Sequence, residues 1–287
     1  MTESEQAESD FAAEPGRAID SASTAVLSKT YAELPFREQE ILRYAGVHRS
    51  AAAGPCAAEE VADLLRACVE EARNALTYKV CYRVLPVERR GDVCDFGCFE
   101  VRSGKLAANL AGCDRAVVFA GTVGVGVDRL IARHGRLAPS RAMMLQAIGT
   151  AQVEEVCDAF CADVARAAGE CGRRTRPRFS PGYGDVPLET QRDFFRVLDC
   201  EKRIGLTLND NLFMSPTKSV TAFVGVTAPE PETGASERVG DVGCEKRKGL
   251  EGCETDRVPV VPGVGFGCSA CSNVDCMARE IEETHRG

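Results

Sequence analysis

Hydrophobic residues recur at helical spacing in three stretches of this chain. Residues 57–76 repeat apolar side chains every three or four positions after Pro55, which predicts an amphipathic helix. Residues 140–169 have the same period, and their methionines and phenylalanine predict a second helix packed in the core. A third helix is predicted from Pro187 to the neighbourhood of Gly205, because glycine is a common helix terminator.

The segments between these stretches have the pattern of strands. Apolar and polar residues alternate over residues 78–101, in short pieces separated by glycine turns, and again over residues 219–226. Residues 115–121 form a short apolar run typical of a buried strand, and residues 204–208 are also strand-like. Helices and strands are mixed without regular alternation. The pattern therefore predicts an α+β fold rather than a doubly wound parallel sheet.

A glycine-rich loop, Gly121-Thr-Val-Gly-Val-Gly126, leads from the apolar run into a helix predicted over residues 127–134. The order strand, glycine loop, helix is also found in phosphate-binding sites. This loop lacks both the full G-x-G-x-x-G spacing and the lysine of a P-loop. A tight strand-to-helix turn is therefore favoured over a phosphate cradle.

Charge and hydropathy argue against two classes of partner. Lys and Arg number 35 against 43 Asp and Glu, a formal net charge of −8 over 287 residues, and residues 1–22 alone carry −5 of it. The near-neutral remainder has no long basic block and no tryptophan, which argues against nucleic acid. The most apolar stretch, residues 116–127, is far shorter than the roughly 20 residues of a membrane-spanning helix. The first residues are acidic and unlike a signal peptide, so we expect a cytoplasmic protein.

Composition predicts three regions. Residues 1–22 are small and acidic and are predicted to be a disordered tail. Residues 23–228 are predicted to form the folded domain, in which the arginine run at residues 173–178 is expected to be a solvated loop. Residues 229–287 are predicted to be a linker followed by a cysteine-rich tail, which closes with a short helix from Asp275.

Cysteine usage indicates reduced thiols. The count of 15 is odd, which argues against a complete set of disulfides. Several cysteines fall inside helix or strand patterns, where the residue acts as a small buried hydrophobe; these are Cys68, Cys81, Cys157 and Cys161. The tail has the clustered set Cys268, Cys271 and Cys276, with Cys253 or Cys244 available as a fourth ligand. Such a run can bind zinc or an iron–sulfur cluster, and free thiols are an equal alternative.

Four ordered motifs follow one another over about 45 residues. They are Arg178-Phe-Ser-Pro-Gly-Tyr-Gly, Val197-Leu-Asp-Cys-Glu-Lys-Arg-Ile-Gly, Leu206-Thr-Leu-Asn-Asp-Asn-Leu-Phe-Met-Ser-Pro and Ser219-Val-Thr-Ala. This series resembles the activation domain of cobalamin-dependent methionine synthase, with its R-x-x-P-G-Y-P, L-L-x-x-E-K-x-x-G, L-T-E-S-x-A-M-x-P and S-V-S-G segments. The upstream residues 153–158 are similar to the family's A-E-A-L-A-D helix. The resemblance covers roughly residues 151–226 and implies a twisted, mainly antiparallel sheet with flanking helices.

The resemblance implies a ligand and the residues that contact it. Domains of this family bind S-adenosylmethionine and help to repair an oxidised cobalamin, which one electron and one methyl group restore. Carried over, the motif assigns ligand contacts to Arg178, Ser180 and Tyr183, with Pro181 and Gly182 shaping the loop. The residue types suit these roles, because an arginine can bind a carboxylate in bidentate fashion and Pro-Gly fixes a tight turn. Tyrosine offers an apolar face and one hydroxyl group.

The same resemblance implies partners. No residue has the surroundings of a nucleophile or a general acid or base, so no catalytic residue is assigned and the protein is expected to be an accessory factor. The corrinoid would be presented by a methionine synthase that lacks its own activation domain, or by a related corrinoid methyltransferase. A flavodoxin- or ferredoxin-like protein would donate the electron.

Two other functions stay open on the sequence. One is a metal or iron–sulfur redox adaptor that kept the fold and no longer binds S-adenosylmethionine. Gly184-Asp185 in place of the family's Pro-Ala or Pro-Cys favours this alternative, and Ser215, where a tryptophan is frequent in the family, is a further departure from the family pattern. The other is a purely structural interaction partner, whose complexes would depend on neither ligand nor metal.

Overall fold

The computed structural model describes residues 25–47 and 55–229, together with Ile19. Its strands, in chain order, are β1 (Leu27–Tyr31), β2 (Tyr78–Pro86), β3 (Glu88–Arg90), β4 (Val93–Asp95), β5 (Glu100–Arg102), β6 (Cys113–Thr122), β7 (Thr207–Leu208), β8 (Met214–Ser215) and β9 (Ser219–Thr227). Its helices are α1 (Glu38–Tyr44), α2 (Pro55–Arg73), α3 (Gly104–Asn109), α4 (Gly126–His134), α5 (Pro139–Glu170), α6 (Gln191–Leu198) and α7 (Cys200–Ile204).

The central sheet has the strand order β1-β2-β6-β9, and every neighbouring pair in it is antiparallel. Two small antiparallel sheets, β3-β4-β5 and β7-β8, complete the strands of the described residues. No crossover helix joins parallel strands in the central sheet, since all of its pairs are antiparallel. The prediction of an α+β fold with a mainly antiparallel sheet is confirmed.

The two faces of the sheet are buried in two separate cores, because successive side chains of a strand point to opposite faces. On one face Val80, Tyr82 and Phe119 pack against α1, α2, α4 and α5. On the other face Val118 and Phe223 pack against α3, α6, α7 and the small β3-β4-β5 sheet. Each large apolar side chain buried in this way stabilises the fold by about 1.5–3 kcal/mol. The described residues are therefore layered, with the sheet between the two cores.

The helix predicted after Pro187 is interrupted. A 3₁₀ turn at Leu188–Thr190 leads into α6, and Asp199 in the left-handed region, with φ 49°, separates α6 from α7. Leu198 and Cys200 are both buried, although a continuous helix would turn them about 200° apart. The left-handed residue rotates the chain so that both face the sheet. Gly205, with φ +70°, ends α7 as predicted, whereas the strand predicted from residue 204 begins only at Thr207.

The arginine run at residues 173–178 is solvated only in part: Arg174 and Arg176 are exposed, and the prediction of a solvated loop was wrong for Arg173 and Arg178. Arg173 is buried, and its Nη1 donates hydrogen bonds to Asp114 Oδ1 at 2.7 Å and to the Thr227 carbonyl at 3.1 Å. Arg176 Nη2 donates to the Ala111 carbonyl at 2.7 Å. The arginines fix this segment to the sheet and to the end of α3, because a guanidinium can satisfy several carbonyl and carboxylate acceptors at once.

The glycine-rich loop is a tight turn packed against the α2–β2 connection. Gly124 has φ +79°, and a Cβ there would lie 2.2 Å from Thr77 Oγ1. A Cβ on Gly126 would lie 2.0 Å from the Ala75 carbonyl oxygen. The glycines are thus needed for a close approach of two backbone segments. This geometry supports the turn interpretation over the phosphate cradle.

Ile19, within the segment predicted to be a tail, is buried in the first core, and the other residues of 1–24 lie outside the described residues. The linker and the cysteine-rich tail predicted over residues 229–287 lie outside them as well, except for residue 229. The cysteines whose side chains the structure describes are free thiols; Cys68, Cys81 and Cys157 are buried as expected, and Cys161 is half-buried. Among the described helices, none combines the length and the hydropathy that crossing a membrane requires.

Glu71 on α2 links three helices. One of its carboxylate oxygens lies 2.9 Å from His134 Nε2 of α4, and the other accepts a 2.9 Å hydrogen bond from Arg141 Nη2 of α5. The hydrogen bond with His134, followed by that with Arg141, lowers the pKa of Glu71 below its ordinary value. The ionised carboxylate is therefore the form that holds the three helices together.

Glu71→Gln is expected to reduce the acid dependence of stability. A carboxyl group whose pKa is lowered by folding stabilises the native state above its ordinary pKa, and this contribution is lost as pH falls through the lowered value. The wild type should exceed the variant by about 1 kcal/mol at pH 7, and the difference should shrink below about pH 4. Urea unfolding of both proteins between pH 7 and pH 3 measures this; curves that stay parallel would show that Glu71 is not responsible.

Candidate functional site

The segment that carries the first motif continues the central sheet at the outer edge of β9. The backbone N–H of Arg176 donates to the Gly225 carbonyl at 2.8 Å, and Phe179 and Phe223 exchange two hydrogen bonds of 2.9 and 2.8 Å. Residues 174–179 thus run beside β9 with isolated bridges at Thr175 and Phe179. The sheet fixes where the following loop begins.

Residues 178–186 form the candidate loop, which consists of two consecutive turns. In the first, the Tyr183 N–H donates to the Ser180 carbonyl at 3.1 Å, with a buried Pro181 and with Gly182 at φ +82°. Proline followed by a glycine of positive φ is the sequence of a type II turn. In the second, the Val186 N–H donates to the Tyr183 carbonyl at 3.1 Å, and Gly184 has φ +63°. Local sequence alone therefore specifies most of this backbone.

Tyr183 lies at the outer part of the loop. Its side chain is 43% exposed, and its ring stands edge-on to Phe179, with centroids 5.3 Å apart at 75°. Ser180 is half-buried at the start of the first turn. The edge-on contact with a ring anchored on β9 orients Tyr183 and leaves part of its surface open to a ligand.

Arg178 points towards α5 and is largely buried. Its Nη2 bonds the Glu154 carboxylate and lies 3.6 Å from Asp158 Oδ1, while its side chain is 15% exposed. Arg178 Nη1 and Asp158 Oδ1 are both buried and have no hydrogen-bond partner in the described part of the chain. Both acids thus face Nη2 of the guanidinium, while Nη1 is a donor and Asp158 Oδ1 an acceptor whose hydrogen-bonding capacity is not used among the described residues.

Burial and neighbouring charges shift the pKa values of Arg178 and Asp158 in opposite directions. Burial opposes the charge of Arg178, but Cys157 and Glu154 hold its pKa above the ordinary value. Burial also raises the pKa of Asp158, against the effect of Arg178, and raises the pKa of Cys161 to about 12. The thiol beside the cluster therefore stays protonated at neutral pH and is a poor nucleophile.

Three residues at this site were not assigned a role from the sequence. Glu154 and Asp158 lie four positions apart on α5, on one helix face, inside the A-E-A-L-A-D-like segment. Asp185, a departure from the family motif, accepts a hydrogen bond from the Gly104 N–H at 2.9 Å at the start of α3. A pair of acids at helical spacing was a signal in the sequence, whereas the contact of Asp185 was not.

The remaining site predictions divide into two groups. Ser215 belongs to β8, and its carbonyl accepts a 3.2 Å hydrogen bond from Thr207 Oγ1 within the β7-β8 hairpin. Two residues before it, Phe213 is 70% exposed. Cys268, Cys271 and Cys276 lie outside the described residues. Among the residues that the structure describes, no group of three or more His, Cys, Asp or Glu side chains could hold a metal ion.

Comparisons with known proteins found similarity among solved structures. No protein-family model matches the chain, and no curated protein matches it. Among solved structures, the chain is similar to one described as the crystal structure of the MetH reactivation domain bound to AdoHcy. That match has 16% sequence identity and a TM-score of 0.46, and it covers 70% of this chain and 78% of that chain.

Proposed function

We propose that this protein binds S-adenosylmethionine at the candidate loop and serves as a reactivation component for a corrinoid carried by another protein. The proposal rests on the four ordered sequence motifs described above. The observation that carries it is the conformation of the first motif, a preformed double turn with a partly exposed Tyr183, which follows a largely buried Arg178 that has one nitrogen without a hydrogen-bond partner in the described part of the chain. A preformed loop binds a ligand at a lower entropic cost than a loop that must be ordered.

The polar groups at the loop fit the amino-acid end of S-adenosylmethionine. Arg178 Nη1 is a buried donor without a hydrogen-bond partner among the described residues, and a carboxylate is the acceptor that suits it best. Asp158 Oδ1, 3.6 Å from Arg178 Nη2, is an acceptor without a hydrogen-bond donor among the described residues and suits an ammonium group. A zwitterionic ligand would satisfy both atoms, once the contact of Arg178 with Glu154 shifts enough to admit it.

The ring of Tyr183 suits the other end of the same ligand. Its exposed face can contact the sulfonium and the adenosine, because a cation is attracted to the face of an aromatic ring. When bound, S-adenosylmethionine would supply the methyl group that the corrinoid of a partner protein accepts. The residues of this chain would bind and orient that ligand and would not exchange protons with it.

The proposal includes cytoplasmic partners. The corrinoid would be carried by a methionine synthase without an activation domain of its own, or by a related corrinoid methyltransferase. A flavodoxin- or ferredoxin-like protein would deliver the electron. The exposed Tyr183 leaves the ligand accessible to such a partner.

Tyr183→Ala is expected to weaken binding of S-adenosylmethionine about tenfold, because the variant loses the aromatic contact with the cationic ligand. Stability should change little, since the side chain is 43% exposed. Calorimetric titration of the reduced protein measures the affinity. A micromolar dissociation constant for the wild type would correspond to about −8 kcal/mol.

Two controls accompany this titration. Tyr183→Phe should stay close to the wild type, because it keeps the ring. Leu137→Ala removes a 90% exposed side chain on the α4–α5 connection and should leave the affinity unchanged. If the wild type shows no binding at millimolar ligand, the proposed function is wrong.

A second candidate function follows from the cysteine clustering in the sequence. Cys268, Cys271 and Cys276, with Cys253 or Cys244, would bind zinc or an iron–sulfur cluster, and the chain would act as a redox adaptor. Iron, sulfide and zinc analysis of protein purified without oxygen tests this. Stoichiometric metal that is lost in Cys268→Ser would support it, and metal-free protein would exclude it.

A further inference from the structure

Helix α3 contacts residues 176–185, which include most of the candidate loop, at two places. At the C-terminal end of the helix, Asn109 Nδ2 donates to the Pro177 carbonyl at 3.2 Å, and Arg176 Nη2 donates to the Ala111 carbonyl at 2.7 Å. At the N-terminal end, the carboxylate of Asp185 accepts hydrogen bonds from successive backbone N–H groups. Residues 176–185 therefore run along α3, and the two turns of the candidate loop lie between these two contacts.

The attachment at Asp185 is the stronger of the two. Its carboxylate accepts from the Gly104 N–H at 2.9 Å, from the Lys105 N–H at 3.3 Å and from the Ser103 hydroxyl. These N–H groups have no partner within the helix, and an ionised acceptor makes stronger hydrogen bonds with them than a neutral one. The hydrogen bond from Ser103 lowers the pKa of Asp185, so the carboxylate is ionised at neutral pH.

Gly184 makes this attachment possible. A Cβ at this position would lie 2.9 Å from Lys105 Cδ and 3.2 Å from Phe179 Cζ, and its φ of +63° is one that L side chains rarely adopt. Glycine therefore lets the loop backbone approach α3 closely, and the next residue makes the bond. Gly184 and Asp185 act as a pair, at the two positions where the first motif departs from the family pattern.

We propose that Asp185 is a positioning residue, which holds the candidate loop on α3 in the conformation that binds the ligand. This inference rests on the proposed function, because it concerns the same loop. Without Asp185 the second turn loses its attachment to the start of α3, and the loop samples other conformations. The apparent affinity then falls by the fraction of molecules in the binding conformation.

Titration with S-adenosylmethionine tests the inference. Asp185→Ala is expected to bind about tenfold more weakly. This is the loss of affinity expected if the loop of the variant adopts the binding conformation in about a tenth of the molecules. Asp185→Asn should stay within about threefold of the wild type, because the asparagine oxygen also accepts at a helix N-terminus. Asp128→Ala is the matched control, since Asp128 likewise accepts from a backbone N–H and a hydroxyl group, those of Thr217, at 2.8 and 2.6 Å. It should lose similar stability and bind normally.

A spectroscopic measurement separates positioning from general stability. The chain has five tyrosines, so a fluorotyrosine-labelled sample gives few signals, and Tyr183→Phe identifies the one of interest. That signal should shift or broaden in Asp185→Ala and stay unchanged in Asp128→Ala. If the wild type binds and Asp185→Ala binds equally well, the positioning role is wrong and the proposed function stands. If the wild type does not bind, the proposed function is wrong, and the Tyr183 signal alone decides whether Asp185 holds the loop.

Discussion

Arg178→Ala is expected to weaken S-adenosylmethionine binding about 100-fold, because the ligand carboxylate loses its charged donor. The same change should lower the free energy of unfolding by about 2–3 kcal/mol, since Glu154 and Asp158 lose the cation that they face in a largely buried position. The first effect comes from the proposed ligand contact of Arg178 and the second from its contacts with α5. Titration calorimetry measures the first and urea unfolding the second.

A double variant separates the two effects. Glu154→Gln in the Arg178→Ala background removes one unpaired carboxylate and should restore part of the lost stability. Binding should remain lost, since no donor replaces Arg178. Arg178→Lys should keep much of the stability and little of the affinity, because an ammonium group cannot bind a carboxylate with two parallel hydrogen bonds. If Arg178→Ala binds S-adenosylmethionine as tightly as the wild type, the proposed ligand contact is wrong. The role of Arg178 is then limited to its ion pairs with Glu154 and Asp158.

Gly126→Ala is expected to cost more than about 4 kcal/mol of stability, enough to unfold many domains. The added methyl group would lie 2.0 Å from the Ala75 carbonyl oxygen and 2.8 Å from its carbon, so backbone must move on one side or the other. Neither α4 nor the α2–β2 connection can shift freely, because both border the first core. Thermal unfolding followed by circular dichroism measures the loss.

Gly169→Ala is the matched control for this prediction. It lies within α5, and a Cβ there would meet nothing within 4 Å. Alanine at a helical position without steric conflict is expected to stabilise by up to about 1 kcal/mol. The two glycine substitutions should thus move the melting temperature in opposite directions. A Gly126→Ala protein as stable as the wild type would mean that the turn is looser than described.

Long periodic elements and local turns were predictable from the sequence. Helices α2, α4 and α5 and strands β2, β6 and β9 have clear periods, and each lies where its pattern indicated. The first turn of the candidate loop follows from Pro181-Gly182, since that dipeptide specifies its own backbone angles. Strand β1 and helices α1 and α3 were not predicted, because five to seven residues hold too little of a period to stand out.

Contacts between distant residues were not predictable in the same way. Arg178 meets Glu154 across 24 positions, and Asp185 meets Ser103 across 82. The interrupted helix after Pro187 also depends on distant contacts, because the sheet and not the local sequence requires Leu198 and Cys200 on one side. A single sequence shows the residue types at such sites, and only the fold shows which of them meet.

The strand-like pairing of residues 174–179 with β9 has a consequence for the solubility of the protein. An open sheet edge presents unpaired N–H and C=O groups, on which a strand of another molecule can add and start aggregation. Here the edge is closed by a segment that contains Pro177 and two exposed arginines, Arg174 and Arg176, which are poor partners for a further strand. The residues that lead into the candidate loop thus also protect the sheet against self-association. Selection for ligand binding and selection against aggregation would act on the same short stretch of chain.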